Sequence, residues 1–284
     1  MGIVQGLTEY LPISSSAHLR LTPILFGFDD PGAGFTAVIQ IGTVIAVLVY
    51  FWSDLSKAFM AWFRSLTGKD ERATPEAKMG WAVFIGTIPV VIVAPLLQHR
   101  VETTFRNLYL VAWAMIVAGL VMYAAQVWSK KTRKLDSVVA QDGWLPGILQ
   151  CCALIPGMSR SGSTITGAFL IGFDKEAATR FSFLMSVPSV AGAGIYELVK
   201  HRHELSGSGI GVTATLVSTI VSFIVGYVSI KFLITWISKH GIGIFTIYRL
   251  ILGSVLLFLL YNGTLHPEAG AKEEVPAQAV ASLR

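Results

Sequence analysis

Two short stretches of this 284-residue chain hold most of its chemically capable side chains. The first runs Gln5-Gly-Leu-Thr-Glu9-Tyr-Leu-Pro-Ile-Ser14-Ser15-Ser16-Ala-His18. Gln5 and Glu9 stand at i and i+4, which puts them on one face of a helix. Pro12 ends that helix, and three hydroxyls and an imidazole follow at once. A carboxylate, hydroxyls and a histidine are the parts of proton transfer and nucleophilic attack. A carboxylate inside an apolar segment is costly, so position alone makes Glu9 a functional candidate. The serines also admit a structural reading, as caps of a following helix. His18 taken alone could be a satisfied interface histidine.

The second stretch is Pro156-Gly157-Met-Ser159-Arg160-Ser161-Gly162-Ser163-Thr164. Arg160 is a planar, permanently charged donor suited to gripping phosphate with two N–H groups. Ser159, Ser161, Ser163 and Thr164 add hydroxyls, and Gly157 and Gly162 let a ligand approach the backbone. The helix expected to follow offers free N–H groups and the positive end of its dipole. The pattern is a phosphate cradle without the Gly-Lys-Ser/Thr ending of a P-loop. A structural reading stands beside it: Arg160 could pair with Glu9 and tie two segments together.

Other polar residues are weaker candidates. Arg249 falls within an apolar run, where it could snorkel, pair with a carboxylate or line the site. His201 and His203 have charged neighbours and are expected in a solvated loop. No His/Asp/Glu cluster has metal-ligand spacing, so no protein-built metal site is expected. Cys151 and Cys152 are adjacent in an apolar run and are expected to be free buried thiols.

The elements that position these groups are membrane elements. The chain is 53% hydrophobic and 14% charged, with mean hydropathy +0.63. Soluble domains carry roughly a quarter charged residues, so lipid is the expected solvent. The basic run Lys130–Lys134 reads as loop charge facing anionic lipid, and no nucleic-acid partner is expected. Crossing a bilayer takes roughly 20 helical residues. Six stretches qualify: Phe35–Trp52, Trp81–Gln98, Leu108–Trp128, Phe181–Val199, Gly209–Ile230 and Gly241–Tyr261. Two more, Gly2–Phe28 and Trp144–Phe173, are apolar but broken by Pro, Gly and Ser. Each is expected to be a re-entrant hairpin.

These two broken stretches resemble each other at a shift of 145 residues. Gln5 falls on Gln150, Ser14 on Ser159, Ser16 on Ser161, and Gly27-Phe28-Asp29 on Gly172-Phe173-Asp174. The expected fold is therefore all-α and integral to the membrane, with two repeats, 1–135 and 140–265, each a re-entrant hairpin plus three crossings. Three crossings per repeat make the second inverted, a plan that places sites where two broken elements meet. One transmembrane domain would span 1–265, followed by a polar, disordered tail over 266–284. Putting loops 53–80, 129–142, 174–180 and 231–240 inside assigns thirteen Lys/Arg there against seven outside. By the positive-inside rule the first hairpin's mouth then faces outward. The short apolar start meets Gln5 and Glu9 too soon for a cleavable signal peptide.

The two motifs, in order, resemble those of the bacterial undecaprenyl-diphosphate phosphatase family, the bacitracin-resistance proteins. The similarity extends to about Tyr261 and includes Phe245-Thr-Ile-Tyr248-Arg249. It implies a half-helix ahead of Met1 in most members. It also implies removal of the terminal phosphate from undecaprenyl diphosphate, regenerating the lipid carrier of cell-wall synthesis. The setting implied is the bacterial inner membrane, with a site facing its outer side. On this resemblance Glu9, Ser15, His18 and Arg160 are catalytic. Gln5, Ser14, Ser16, Gly157, Ser159, Ser161 and Thr164 bind substrate. Mg²⁺ or Ca²⁺ is implied as a cofactor, with Glu9 the obvious carboxylate to meet it. A homodimer is left open. A secondary transporter of phosphate or an organic anion, or a polyprenyl-phosphate flippase, is the competing expectation.

Overall fold

The computed structural model describes residues 1–68, 73–102, 104–200 and 211–269, and within them the chain is helical with no strand. His201, His203 and the tail beyond 269 lie outside the described residues. Helix α1 (Gly2–Tyr10) stops at Leu11, whose extended backbone (φ −62°, ψ 137°) is what a following proline requires. Helix α2 (Ser15–Phe26) ends on Gly27 in the left-handed region. Then come α3 (Gly32–Tyr50), α4 (Trp52–Ser65), α5 (Pro75–Glu102) and α6 (Leu108–Trp128). The second half holds α7 (Trp144–Cys151), α8 (Arg160–Leu170), α9 (Lys175–Lys200), α10 (Val212–His240) and α11 (Gly243–Tyr261).

Five of these helices, α5, α6, α9, α10 and α11, are long and apolar enough to cross a membrane, and the bent pair α3–α4 makes a sixth candidate. The chain is thus a multi-pass, all-helical membrane protein. Three stretches expected to be loop are helix. Helix α4 occupies the start of 53–80 and leaves α3 at 79°. It carries Lys57 and Arg64 and exposes Phe59, Met60 and Phe63 to the surroundings. That pattern suits a helix lying in the lipid interface. Lys175–Arg180 opens α9, with Asp174 Oδ1 accepting from Ala177 N at 2.8 Å. Residues 231–240 continue α10, because Leu233 and Ile237 keep its helical spacing and are buried.

The short α1–α2 and α7–α8 hairpins sit among the long helices. Helix α1 packs on α10, α7 on α5, α8 on α6 and α9, α3 on both α9 and α10, and α6 on α11. Aromatic side chains including Phe51, Phe169, Phe173, Phe181 and Phe183 fill the main core. Two ends of the bundle are tied by polar contacts. At one, Arg180 pairs with Asp54 at 2.7 Å, and Arg133 grips both oxygens of Asp142 at 2.8 and 2.6 Å. There Asp174 N also donates to Arg133 O. At the other, Leu108 N donates to Pro267 O and Arg20 donates twice to Ala269 O. Residues 266–269, expected to begin a disordered tail, instead fold back on this end.

Helix approach depends on glycine. A Cβ at Gly42 would lie 2.3 Å from Thr219 O of α10, and one at Gly147 would lie 2.4 Å from Gly86 O of α5. Close backbone approach through small residues is how helices associate where lipid removes the hydrophobic drive. Gly42→Val should force α3 and α10 apart and cost about 1–3 kcal/mol. The unfolding midpoint in detergent should fall by several degrees. Gly192→Ala, with nothing within 4 Å of its added Cβ, should not lower it.

Candidate active site

The site forms where the breaks of the two hairpins meet. Each break turns on a serine with positive φ, Ser14 at 76° and Ser159 at 70°, a conformation few non-glycine residues adopt. Such backbones cost roughly 1–3 kcal/mol and persist only when the surroundings over-determine them. Each serine then precedes a helix, α2 or α8. Ser159 caps α8, its Oγ accepting from Gly162 N at 3.2 Å. Ser14 does not cap α2, against the capping reading of the first serines. Its Oγ instead accepts from Gly157 N of the opposite hairpin at 3.2 Å, with Ser16 Oγ 3.5 Å from the same nitrogen. Gly157 suits this point for two reasons: its φ is +99°, and a Cβ there would lie 2.5 Å from Val111 O.

Glu9 is the hub of the reactive groups. Its Oε2 accepts from Ser15 Oγ at 2.9 Å and from Gln5 Nε2 at 3.1 Å. Its Oε1 accepts from Arg160 NH2 at 3.2 Å. Glu9 is 8% exposed, so this charge is nearly withdrawn from solvent and needs the pairing. Gln5 also reaches Thr43 Oγ1 of α3 at 3.4 Å, and Tyr10, whose hydroxyl donates to Thr43 O, braces the same helix. Arg160 commits one nitrogen to Glu9. Its Nε and NH1 are buried and have no partner among the described residues. Ser15 and Arg160 are the first residues of α2 and α8, so two helix N-termini and their dipoles converge on one carboxylate. An anion is the natural guest of such a place.

Arg249 neither snorkels nor pairs with a carboxylate among the described residues. It is fully buried. Its Nε donates to Met115 O at 3.0 Å, and NH1 donates to Pro12 O at 3.2 Å and Met158 O at 3.1 Å. NH2 donates to Gly157 O at 2.7 Å and Ala114 O at 3.3 Å. One fork therefore gathers carbonyls from both hairpin breaks and from α6. It is the restraint that the two strained serines require.

The family description "Bacitracin resistance protein BacA" matches residues 1–255. The chain belongs to that family. It is 46% identical to an undecaprenyl-diphosphatase of Renibacterium salmoninarum, over 93% of this chain and 95% of that one. Identity is likewise 46% to an undecaprenyl-diphosphatase of Chloroherpeton thalassium, over 93% and 96% of the two chains. A third relative of that name, from Thermobifida fusca, is 45% identical over 99% of this chain and 95% of its own.

Of the residues expected in this family member's site, the structure brings Gln5, Glu9, Ser15 and Arg160 into one hydrogen-bonded group, and Ser14, Ser16 and Gly157 into an adjoining one. Others make their contacts outside these two groups. Ser161 Oγ donates to Leu11 O, joining the hairpins. Thr164 Oγ1 donates to Arg160 O and contacts Ser182 Oγ, so it fastens α8 to α9. His18 contacts neither Glu9 nor Ser15; its Nδ1 lies 2.7 Å from Ser14 O and its Nε2 2.6 Å from Tyr248 Oη. Tyr248 and Thr43 were not singled out as site residues. Only the polar Tyr-Arg pair inside an apolar run pointed toward the first. Among the described residues no three His, Cys, Asp or Glu side chains gather as metal ligands, and both oxygens of Glu9 already accept hydrogen bonds. This donor set does not build a divalent-cation cage.

Arg249→Lys would keep a charge but lose the planar fork. Several buried carbonyls would lose their donor, each at about 1–3 kcal/mol. A large fall in the unfolding midpoint in detergent is expected, and an unchanged midpoint would contradict the restraint assigned to Arg249.

Proposed function

We propose that this protein hydrolyses undecaprenyl diphosphate to undecaprenyl phosphate and inorganic phosphate. The reaction recycles the lipid carrier of cell-wall synthesis, and by that route confers resistance to bacitracin. The observation that carries this reading is the Ser15–Glu9 hydrogen bond beside an arginine with two unpartnered buried nitrogens. A hydroxyl within 2.6–3.2 Å of a base is the arrangement of an activated nucleophile. The names of the relatives supply the substrate.

In the mechanism that follows, the terminal phosphate of the diphosphate docks on Arg160 Nε and NH1 and on the N-termini of α2 and α8. Ser15 Oγ gives its proton to Glu9 and attacks the terminal phosphorus. The bond from that phosphorus to the bridging oxygen breaks, and undecaprenyl phosphate leaves. Water then gives a proton toward His18 and attacks the phosphoserine. The bond from phosphorus to Ser15 Oγ breaks, and Ser15 takes back its proton from Glu9. Inorganic phosphate leaves, while His18 returns its proton to solvent. Arg160 stabilises charge on the transferring group throughout. Any Mg²⁺ or Ca²⁺ would have to be brought with the diphosphate, since these residues offer no cage for it.

The repeat plan supports a site between two hairpins. At the shift of 145, Ser14 and Ser159 share their unusual backbone, and Gly27 and Gly172 share positive φ. Gln5 bonds α3 through Thr43, and Gln150 accepts from Ser189 of α9 at 3.2 Å. We read 1–135 and 140–265 as inverted repeats on this basis. Transport of phosphate or flipping of lipid suits that plan as well, but leaves the Ser15–Glu9 pair without a use.

The site faces the outer side of the cytoplasmic membrane in this reading, since the 129–142 end bears the greater basic charge. With Cys151 and Cys152 replaced by serine, Ser137→Cys on the exposed 129–142 segment should react with an impermeant maleimide only after cells are opened. Reaction in intact cells would reverse the orientation.

Purified protein in detergent should release phosphate from undecaprenyl diphosphate. Glu9→Ala and Arg160→Ala should each lose about 10²-fold or more in kcat. Ser15→Ala should fall as far; if it keeps activity, water is the nucleophile. Near-full activity of Arg160→Ala would sink the assignment.

A further inference from the structure

We infer that Tyr248 is a positioning residue for this reaction, holding His18 in one tautomer through a hydrogen bond to its Nε2. The inference rests on the phosphatase reading for its use, though not for its geometry. His18 lies in the first turn of α2, three residues beyond Ser15. Its Nδ1 is 2.7 Å from Ser14 O. A carbonyl can only accept, so Nδ1 carries the hydrogen. The neutral imidazole then has its lone pair on Nε2, which lies 2.6 Å from Tyr248 Oη. The tyrosine hydroxyl therefore donates. The two rings also lie nearly parallel, with centroids 5.6 Å apart and planes at 13°.

Both ends of this clamp are fixed independently of the imidazole. Ser14 is held in its strained conformation, with its Oγ on Gly157 N. Tyr248 precedes Arg249, whose fork is bound to both hairpin breaks. The clamp also tolerates a change of charge. When His18 gains a proton, Nε2–H donates and the tyrosine oxygen accepts, while Nδ1–H stays on Ser14 O. Tyr248 alone must reverse its role, and a hydroxyl can do so where a carbonyl cannot. The other charged group on the helix that faces His18 is Arg249, fully committed to carbonyls. A histidine so placed, one turn from the attacking serine, can exchange a proton at Nε2 through the Tyr248 hydroxyl without turning its ring.

The test uses the full chain in detergent, labelled with ¹⁵N-histidine, with the His18 resonances found by comparison with His18→Asn. Wild type should show neutral His18 with Nδ1 protonated and Nε2 bare. Tyr248→Phe keeps the stacked ring and removes the hydroxyl. It should mix the tautomers, and lower kcat for undecaprenyl diphosphate about tenfold with KM within about twofold. A wild-type spectrum with the hydrogen on Nε2 overturns the inference, and does so even if Tyr248→Phe fails to fold. Wild-type kcat and tautomer in a folded Tyr248→Phe overturn it as well. Wild type that releases no phosphate defeats the phosphatase reading instead. The spectra then still decide whether Tyr248 sets the tautomer.

Discussion

Two hairpins that break off inside a helical bundle leave backbone carbonyls facing one another, and the five collected by Arg249 give this site its shape. Buried carbonyls need donors, and a buried guanidinium needs acceptors; here each answers the other. No carboxylate is involved, so the charge is spread over dipoles from three segments. The arrangement also explains how two serines can sit at positive φ without glycine. Their neighbours Pro12, Gly157 and Met158 are held by one rigid fork, and the serines have little freedom to relax. Ser15 and Arg160 follow those serines directly, so the placement of both reactive groups descends from Arg249.

The charge of Glu9 is managed differently. It is nearly buried and balanced by Arg160, Ser15 and Gln5. The Arg160 contact is a structural tie between hairpins and a feature of the chemistry at once. In the proposed mechanism an incoming diphosphate meets the arginine's two remaining nitrogens while the third stays on the carboxylate. Glu9 is thereby held beside the Ser15 hydroxyl, at 2.9 Å, which the proposed mechanism has it deprotonate. Neither the pairing reading nor the phosphate reading of Arg160 has to yield to the other.

The long helices were legible because apolar runs of their length leave few alternatives. Their ends were not. Lys231, Lys239 and His240 look like loop charge, yet α10 carries them because Leu233 and Ile237 continue its buried stripe. Helix α4 was missed because an interfacial helix mixes Asp54, Lys57 and Arg64 with Phe59 and Phe63, which averages to a polar segment. The reactive groups were legible as types and spacing: Gln5 and Glu9 on one face, hydroxyls after Pro12, an arginine among serines. Their partners were not, since Ser14 meets Gly157 across 143 positions and His18 meets Tyr248 across 230. Thr164 shows the opposite error. It belongs to the motif by spacing, but its hydroxyl turns into α8 and toward α9. Arg249 was visible as an anomaly, and only the fold reveals that carbonyls answer it.

The two helix starts that meet at Glu9 match in backbone and differ in what they carry. At the shift of 145, Leu154 stands where Glu9 does, Arg160 where Ser15 does, and Ser163 where His18 does. A terminal phosphate placed between two like helix ends could be attacked from either of them. The departures from likeness remove that ambiguity, since only one end offers a hydroxyl with a base and only the other a guanidinium. The direction of attack in such a site comes from where the chain fails to repeat itself.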